Sequence, residues 1–192
     1  VFRQGKRTED KEKSAMLLPL DTGFSLQLSA GTVVRHLHDM IKACDACEIE
    51  VFGVKFRTEQ EAAAFGLSAG SSTIFGRNVE IYAGYGSLTD YLDKVDLVIG
   101  PFNSATAECA LLGVDYYCFQ DFDLNAENPN IFYSSVSDIY HVASQLDDLQ
   151  SNIFNRRLFK ENHDVNSLVN TEDSFRDACQ KLDDLFTEYA SL

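Results

Sequence analysis

The chain has 192 residues, 45% of them hydrophobic and 24% charged, a balance that suits a folded domain with a short extension rather than a disordered chain. Lysine and arginine number 16 against 30 aspartates and glutamates, and a net charge of −14 repels phosphate backbones and anionic membrane surfaces. Nucleic acid is thereby excluded as the main partner, and no apolar run is long enough for a membrane span.

Residues 1–14 hold five cations (Arg3, Lys6, Arg7, Lys11 and Lys13) against three anions and show no apolar periodicity, so they read as a polar linker or arm. From there, short apolar runs alternate with amphipathic stretches. Ala15–Leu20 reads as a first strand ending in Asp21-Thr22-Gly23. Residues 29–43 read as a helix, with Val33, Val34, Leu37, Met40 and Ile41 at helical spacing. Glu48–Phe56 is a second strand, and Thr58–Phe65 a helix with Gly66 as its stop. Ser68–Arg77 is rich in Ser and Gly and reads as a loop before a third strand, Val79–Ala83.

Ser87 opens a short helix with Asp90 as capping-box partner and Leu88, Tyr91, Leu92 and Val95 on its apolar face. Asp96–Ile99 is apolar without alternation, as a strand covered on both faces is. A helix over 103–112 stops at Gly113, and Val114–Gln120 is a fifth strand. Ile131–Ser134 reads as a sixth. A helix opening at Ser135 carries Ile139, Val142, Ala143, Leu146 and Leu149, and a last one covers about 172–190 behind an Asn170-Thr171 cap. Strand and helix in alternation predict a doubly wound, Rossmann-like α/β fold. It has five to six parallel strands, helices on both faces and C-terminal helices appended. The expected units are an arm at 1–14, a nucleotide-binding domain at 15–150 and a helical extension at 151–192. In such folds the ligand sits at the carboxyl ends of the strands, where the strand order reverses.

The densest candidate for chemistry is Asp96-Leu-Val-Ile-Gly-Pro-Phe-Asn-Ser-Ala-Thr-Ala-Glu-Cys-Ala-Leu-Leu-Gly113. A buried strand ends at Gly100-Pro101, and Asn103 or Ser104 caps a helix whose free N–H groups and positive dipole end suit a phosphate. Ser104 and Thr106 add hydroxyls, and Glu108, one turn in, is placed to accept from ribose hydroxyls. A small polar cap is equally what any strand-to-helix turn prefers.

An apolar strand, Gly-Pro, a Ser/Thr-rich turn and a Glu in a small-residue helix ending Leu-Leu-Gly resemble the carboxy-terminal, nucleotide-binding half of GT-B glycosyltransferases. The helix from Ser87 leading into Asp96-Leu-Val-Ile is similar to the family's short helix before that strand. The likeness spans roughly residues 15–150, with its sharp part in the 18 residues quoted. It implies a donor-phosphate turn at Asn103, Ser104, Ala105 and Thr106, ribose binding by Glu108, and a cleft-facing loop at Gly23 and Ser25. Gly100 stands where many retaining members carry the first of two glutamates eight positions apart. The resemblance further implies a nucleotide sugar as substrate, no required cofactor, and a glycan or lipid-linked acceptor in bacterial surface-polysaccharide synthesis. The chain is too short for a whole two-domain enzyme, and it opens on Val1. The amino-terminal half, which typically brings the catalytic base, is thus expected in a longer protein or a partner chain.

Other constellations are weaker. Lys55 and Arg57 follow the second strand and are candidate phosphate cations, or plain surface charges. Gly23 is also an ordinary turn residue, and its loop faintly resembles the phosphate loop of flavodoxins. A flavodoxin-like or other nucleotide-binding module would use Tyr82, Tyr85 and Tyr91 to sandwich a flavin. A receiver domain would need an Asp where Ala83-Gly84 stands. A non-catalytic interaction domain would present its acidic face to a basic partner. Asp121 and Asp123 form an Asp-x-Asp pair of the kind that holds a divalent ion, but chance pairs are expected in so acidic a chain. Cys44 and Cys47 form a lone CxxC at a helix end, without the second pair a zinc site needs. His36 and His38 face different ways on one helix, and neither these nor His141 and His163 partner a nucleophile. No metal site is expected. The five cysteines, an odd number, and the absence of a basic-then-apolar leader read as reduced thiols in a cytoplasmic protein.

Overall fold

A computed structural model describes residues 13–20, 30–84, 86–120 and 140–161. Its elements in chain order are β1 (Ser14–Leu17), α1 (Ala30–Ala46), β2 (Glu50–Lys55), α2 (Glu59–Ala64), β3 (Gly70–Ile74) and β4 (Arg77–Tyr82). A 3-10 turn (Leu88–Asp90), β5 (Leu97–Gly100), α3 (Ser104–Leu112), β6 (Asp115–Phe119), β7 (Val142–Ala143) and α4 (Leu146–Phe154) follow.

These build one seven-stranded sheet in the order β3-β4-β2-β1-β5-β6-β7. Every pair is parallel except β3 with β4. With the edge strand β3 set aside, the order is that of the dinucleotide-binding Rossmann sheet and differs from the flavodoxin order. The reversal falls at β1, which pairs with β2 on one side and β5 on the other.

The two faces have separate cores. One packs Leu37, Met40, Ile41 and Cys44 of α1 and Leu149 and Ile153 of α4 against Leu17, Val54, Ile99 and Phe119. The other packs Ala105 and Cys109 of α3, with Leu88, Leu92 and Val95, against Met16, Val98, Tyr116 and Cys118. All four residues of β5 are buried, as their unbroken apolar run predicts. α2 begins with a full capping box: the Glu61 N–H donates to Thr58 Oγ1 at 3.1 Å, and the Thr58 N–H to Glu61 Oε2 at 3.3 Å.

Three local expectations are corrected. Residues 70–74, read as loop, are strand β3, joined to β4 by a tight hairpin at Phe75 (φ 47°) and Gly76 (φ 80°). Two positive φ angles in succession are the signature of a type I′ turn. Val142 and Ala143, read as part of a helix, form β7; the Gln120 N–H donates to Ala143 O at 2.7 Å. The helix there starts at Leu146 and runs across position 150. The helix at Ser87 is one 3-10 turn, and the Ser87 hydroxyl accepts from the Thr89 N–H at 3.3 Å rather than sharing a box with Asp90. Ile131–Ser134 and the helix at 172–190 lie outside the described residues.

Candidate functional site

The carboxyl end of β5 lies beside β1, at the reversal in strand order. Main-chain contact continues past the paired residues there: the Leu18 N–H donates to Ile99 O at 2.8 Å. The turn into α3 then forms at once. Asn103 is the N-cap, with extended backbone and its Oδ1 accepting from the Ala105 N–H at 2.9 Å. The Thr106 N–H donates to Asn103 O at 3.1 Å. With those two amides occupied, the exposed donors of the first turn are the N–H and hydroxyl of Ser104, at the positive end of a nine-residue helix. Glu108 is half-buried one turn along. An i, i+4 pair shares a face, which puts it about 6 Å further down the axis.

Thr106 sits differently from the exposed hydroxyl expected of a phosphate turn. It is 1% exposed and packs against Tyr116 and Cys118, beneath the helix. Ala105 is buried beside it, so of the four predicted turn residues only Asn103 and Ser104 face solvent.

Two features fix this turn. Tyr116, fully buried, donates its hydroxyl to Pro101 O at 2.6 Å, and Tyr140 in turn donates to Tyr116 O. Burial raises the Tyr116 phenol well above its ordinary pKa, so it stays a donor at any physiological pH. Gly100 is enforced by space: a Cβ there would meet Leu18 Cβ at 2.7 Å, Tyr116 Oη at 2.9 Å and Leu18 O at 3.0 Å. Hence a glutamate does not fit at position 100. Tyr116 was missed by the sequence reading, since an aromatic in an apolar strand gives no sign that its hydroxyl braces a turn.

Lys55 ends β2 on the same edge, two strands from β5 and so about 10 Å away. Its ammonium donates to Phe56 O at 2.9 Å and Gly84 O at 3.0 Å, clamping the loops after β2 and β4 to each other. Burial lowers its pKa, against the opposing pull of Glu61 and Asp90. Arg57 is exposed, and its N–H donates to Glu61 Oε2 at 2.9 Å. Gly23, Ser25, Tyr85, Asp121, Asp123 and His163 lie outside the described residues. Tyr82 and Tyr91 pack on each other with ring centroids 4.4 Å apart, and Phe52 stacks on Tyr82 as well. That contact leaves no gap between the two tyrosines for a flavin.

His36 is buried; its Nε2–H donates to Phe119 O at 3.0 Å and its ring stacks on Phe119, while His38 leans on Phe75. The two thus serve packing in different directions, as their spacing predicts. Burial pushes the thiol of Cys44 up to about 12, and that of Cys47 also upward, so neither is an activated nucleophile. Among the described residues no group of three or more His, Cys, Asp or Glu is placed to hold a metal, and no helix is long and apolar enough to cross a membrane. A cleft lined by Glu59, Ala63, Leu67, Ser68, Ala69 and Ala83 lies beside α2, and none of the predicted site residues among those described lines it. Compared with known proteins, the chain matches no family model, no curated protein and no solved structure.

Proposed function

We propose that the chain is the donor-nucleotide-sugar-binding half of a GT-B glycosyltransferase that transfers a sugar to an acceptor hydroxyl in cytoplasmic polysaccharide synthesis. The observation that carries this reading is the seat of the α3 N-terminus. It begins within four residues of the end of β5, at the strand-order reversal, with Ser104 offering an exposed amide and hydroxyl. On this reading the Ser104 donors and the helix dipole hold the donor phosphate and stabilise the charge it gains as the glycosidic bond breaks. Asn103 holds the turn, and Glu108 accepts from the ribose hydroxyls. The resemblance also assigns Gly23 and Ser25 to the donor-phosphate site, with Lys55 and Arg57 as further cations on that edge. No cofactor or metal takes part. The acceptor, a glycan or lipid-linked sugar, and the catalytic base come with the amino-terminal half, in the same polypeptide or a partner.

The test is calorimetry of the chain with CMP, UDP, GDP, ADP and FMN. Saturable binding of one nucleotide, lost in both Ser104→Pro and Glu108→Ala, supports the reading. Proline is at home in the first position of a helix, so Ser104→Pro deletes the amide and the hydroxyl while leaving α3 in place. Binding of FMN alone would favour a nucleotide-binding module of another kind, with a flavin site away from Tyr82 and Tyr91. Nucleotide binding indifferent to both substitutions would move the site elsewhere, and silence across the whole panel would favour an interaction domain.

A further inference from the structure

The amino edge of the sheet carries a surface that the donor edge does not explain. α4 runs back from β7 towards that edge, where the Cys47 thiol, three residues ahead of β2, donates to Gln150 O at 3.8 Å. One turn further on, Phe154 ends the helix 81% exposed, the most exposed large apolar side chain among the described residues. The chain then reverses through Asn155 and Arg156 (φ 51°), and the Arg157 N–H donates to Asn152 O at 2.8 Å. It returns alongside β7, with the His141 N–H donating to Leu158 O at 2.9 Å and Tyr140 bridged to Phe159. Leu158 and Phe159 pack inward, which leaves Arg156, Arg157 and Lys160 exposed. Burial, and then the charges of Lys160 and Arg157, lower the His141 pKa, which puts both cations near that ring. Among the described residues none of the three cations is paired with a carboxylate, and Glu161 is the one anion between positions 154 and 161.

We propose that this turn, Phe154 with Arg156, Arg157 and Lys160, docks the protein on an anionic lipid surface. In a chain of net charge −14, three cations in five residues occur here and at Arg3, Lys6 and Arg7. The acidic remainder acts weakly at this point, because physiological salt screens exposed charges beyond about 8 Å. A lone exposed aromatic flanked by cations fits an interface, where the ring enters the headgroup layer and the cations meet lipid phosphates. Exposed side chains on a reverse turn make a surface rather than an enclosure, which a small anion would need. The inference is independent of the donor site, which lies at the opposite edge of the sheet.

The test is co-sedimentation of the whole chain with phosphatidylcholine vesicles, with and without about 30% phosphatidylglycerol. Each cation at such a surface contributes a factor of about five in binding, so Arg156→Gln/Arg157→Gln/Lys160→Gln loses roughly a hundredfold. Phe154→Ser weakens what remains at high salt. Lys42→Gln/Lys94→Gln, which removes two exposed cations elsewhere, leaves binding unchanged. No pelleting with phosphatidylglycerol vesicles, equal pelleting with both compositions, retention by the triple variant, or equal loss in the Lys42/Lys94 control would each overturn the proposal. Selective capture of an acidic protein without vesicle binding would count against it in the same way.

Discussion

Replacing Gly100 by alanine tests the packing that fixes the candidate site. The new Cβ would lie 2.7 Å from Leu18 Cβ, 2.9 Å from Tyr116 Oη and 3.0 Å from Leu18 O. Unstrained carbon contacts start near 3.5 Å, so about 0.8 Å of separation must come from somewhere. Two of the three obstructing atoms belong to Leu18, close to its backbone, and the Leu18 N–H is itself bonded to Ile99 O at 2.8 Å. No rotamer change relieves that, and β1 and β5 must part where the strand order reverses. Overpacking of this kind costs about 1–3 kcal/mol. The upper end applies because the obstruction is mostly main chain and Cβ. At about 2–4 °C per kcal/mol for a chain of this size, Tm falls by roughly 6–12 °C, read by circular dichroism. Gly100→Ala/Tyr116→Phe removes the hydroxyl contact but keeps both Leu18 contacts, so it recovers no stability. A Tm within about 1 °C of the parent, or full rescue by the second substitution, would refute the reasoning.

Asn103→Ala removes the one side chain capping α3 and costs about 1 kcal/mol in urea denaturation, whereas Asn103→Asp keeps the acceptor and most of the stability. Tyr116→Phe strips Pro101 O of its donor and costs about 1–3 kcal/mol, with amide exchange accelerated at Phe102 and Asn103 more than in β3. Burial pushes the thiols of Cys44, Cys109 and Cys118 up to about 12. Groups whose folded pKa is raised stabilise below the unfolded value, near 9, and lose that stability as pH rises towards the folded one. Stability to urea therefore falls as pH rises from about 8 to 10.5, a flat profile being the contrary result. The depressed Lys55 pKa has the opposite sign: it favours folding as pH rises towards 10.5, so Lys55→Met steepens the alkaline loss.

The fold was legible because its parallel strands are covered on both faces. The unbroken apolar run of β5 has one reading, and the helical stripe of α1 reaches the core through Val33, Leu37, Met40 and Ile41, while Val34 is exposed. β3 escaped notice because it is an edge strand whose Gly-Ser-Ser-Thr run meets solvent, leaving no apolar alternation to detect. β7 escaped for a different reason: two residues cannot show a period, and what makes them strand is pairing with Cys118 and Phe119. At the site, Asn103 as cap was legible from local chemistry. The burial of Thr106, the Tyr116 brace and the capture of Lys55 by Gly84 O depend on which chain segments meet, which spacing does not encode.

The most direct test of the donor-site reading is an amide NMR titration of the chain with the nucleotide that calorimetry selects. The account predicts saturable shifts centred on Ser104 and Ala105 and reaching Glu108, abolished in Ser104→Pro. Saturable shifts confined to the cleft beside α2, around Glu59 and Ala83, with Ser104 and Ala105 unmoved, would contradict it.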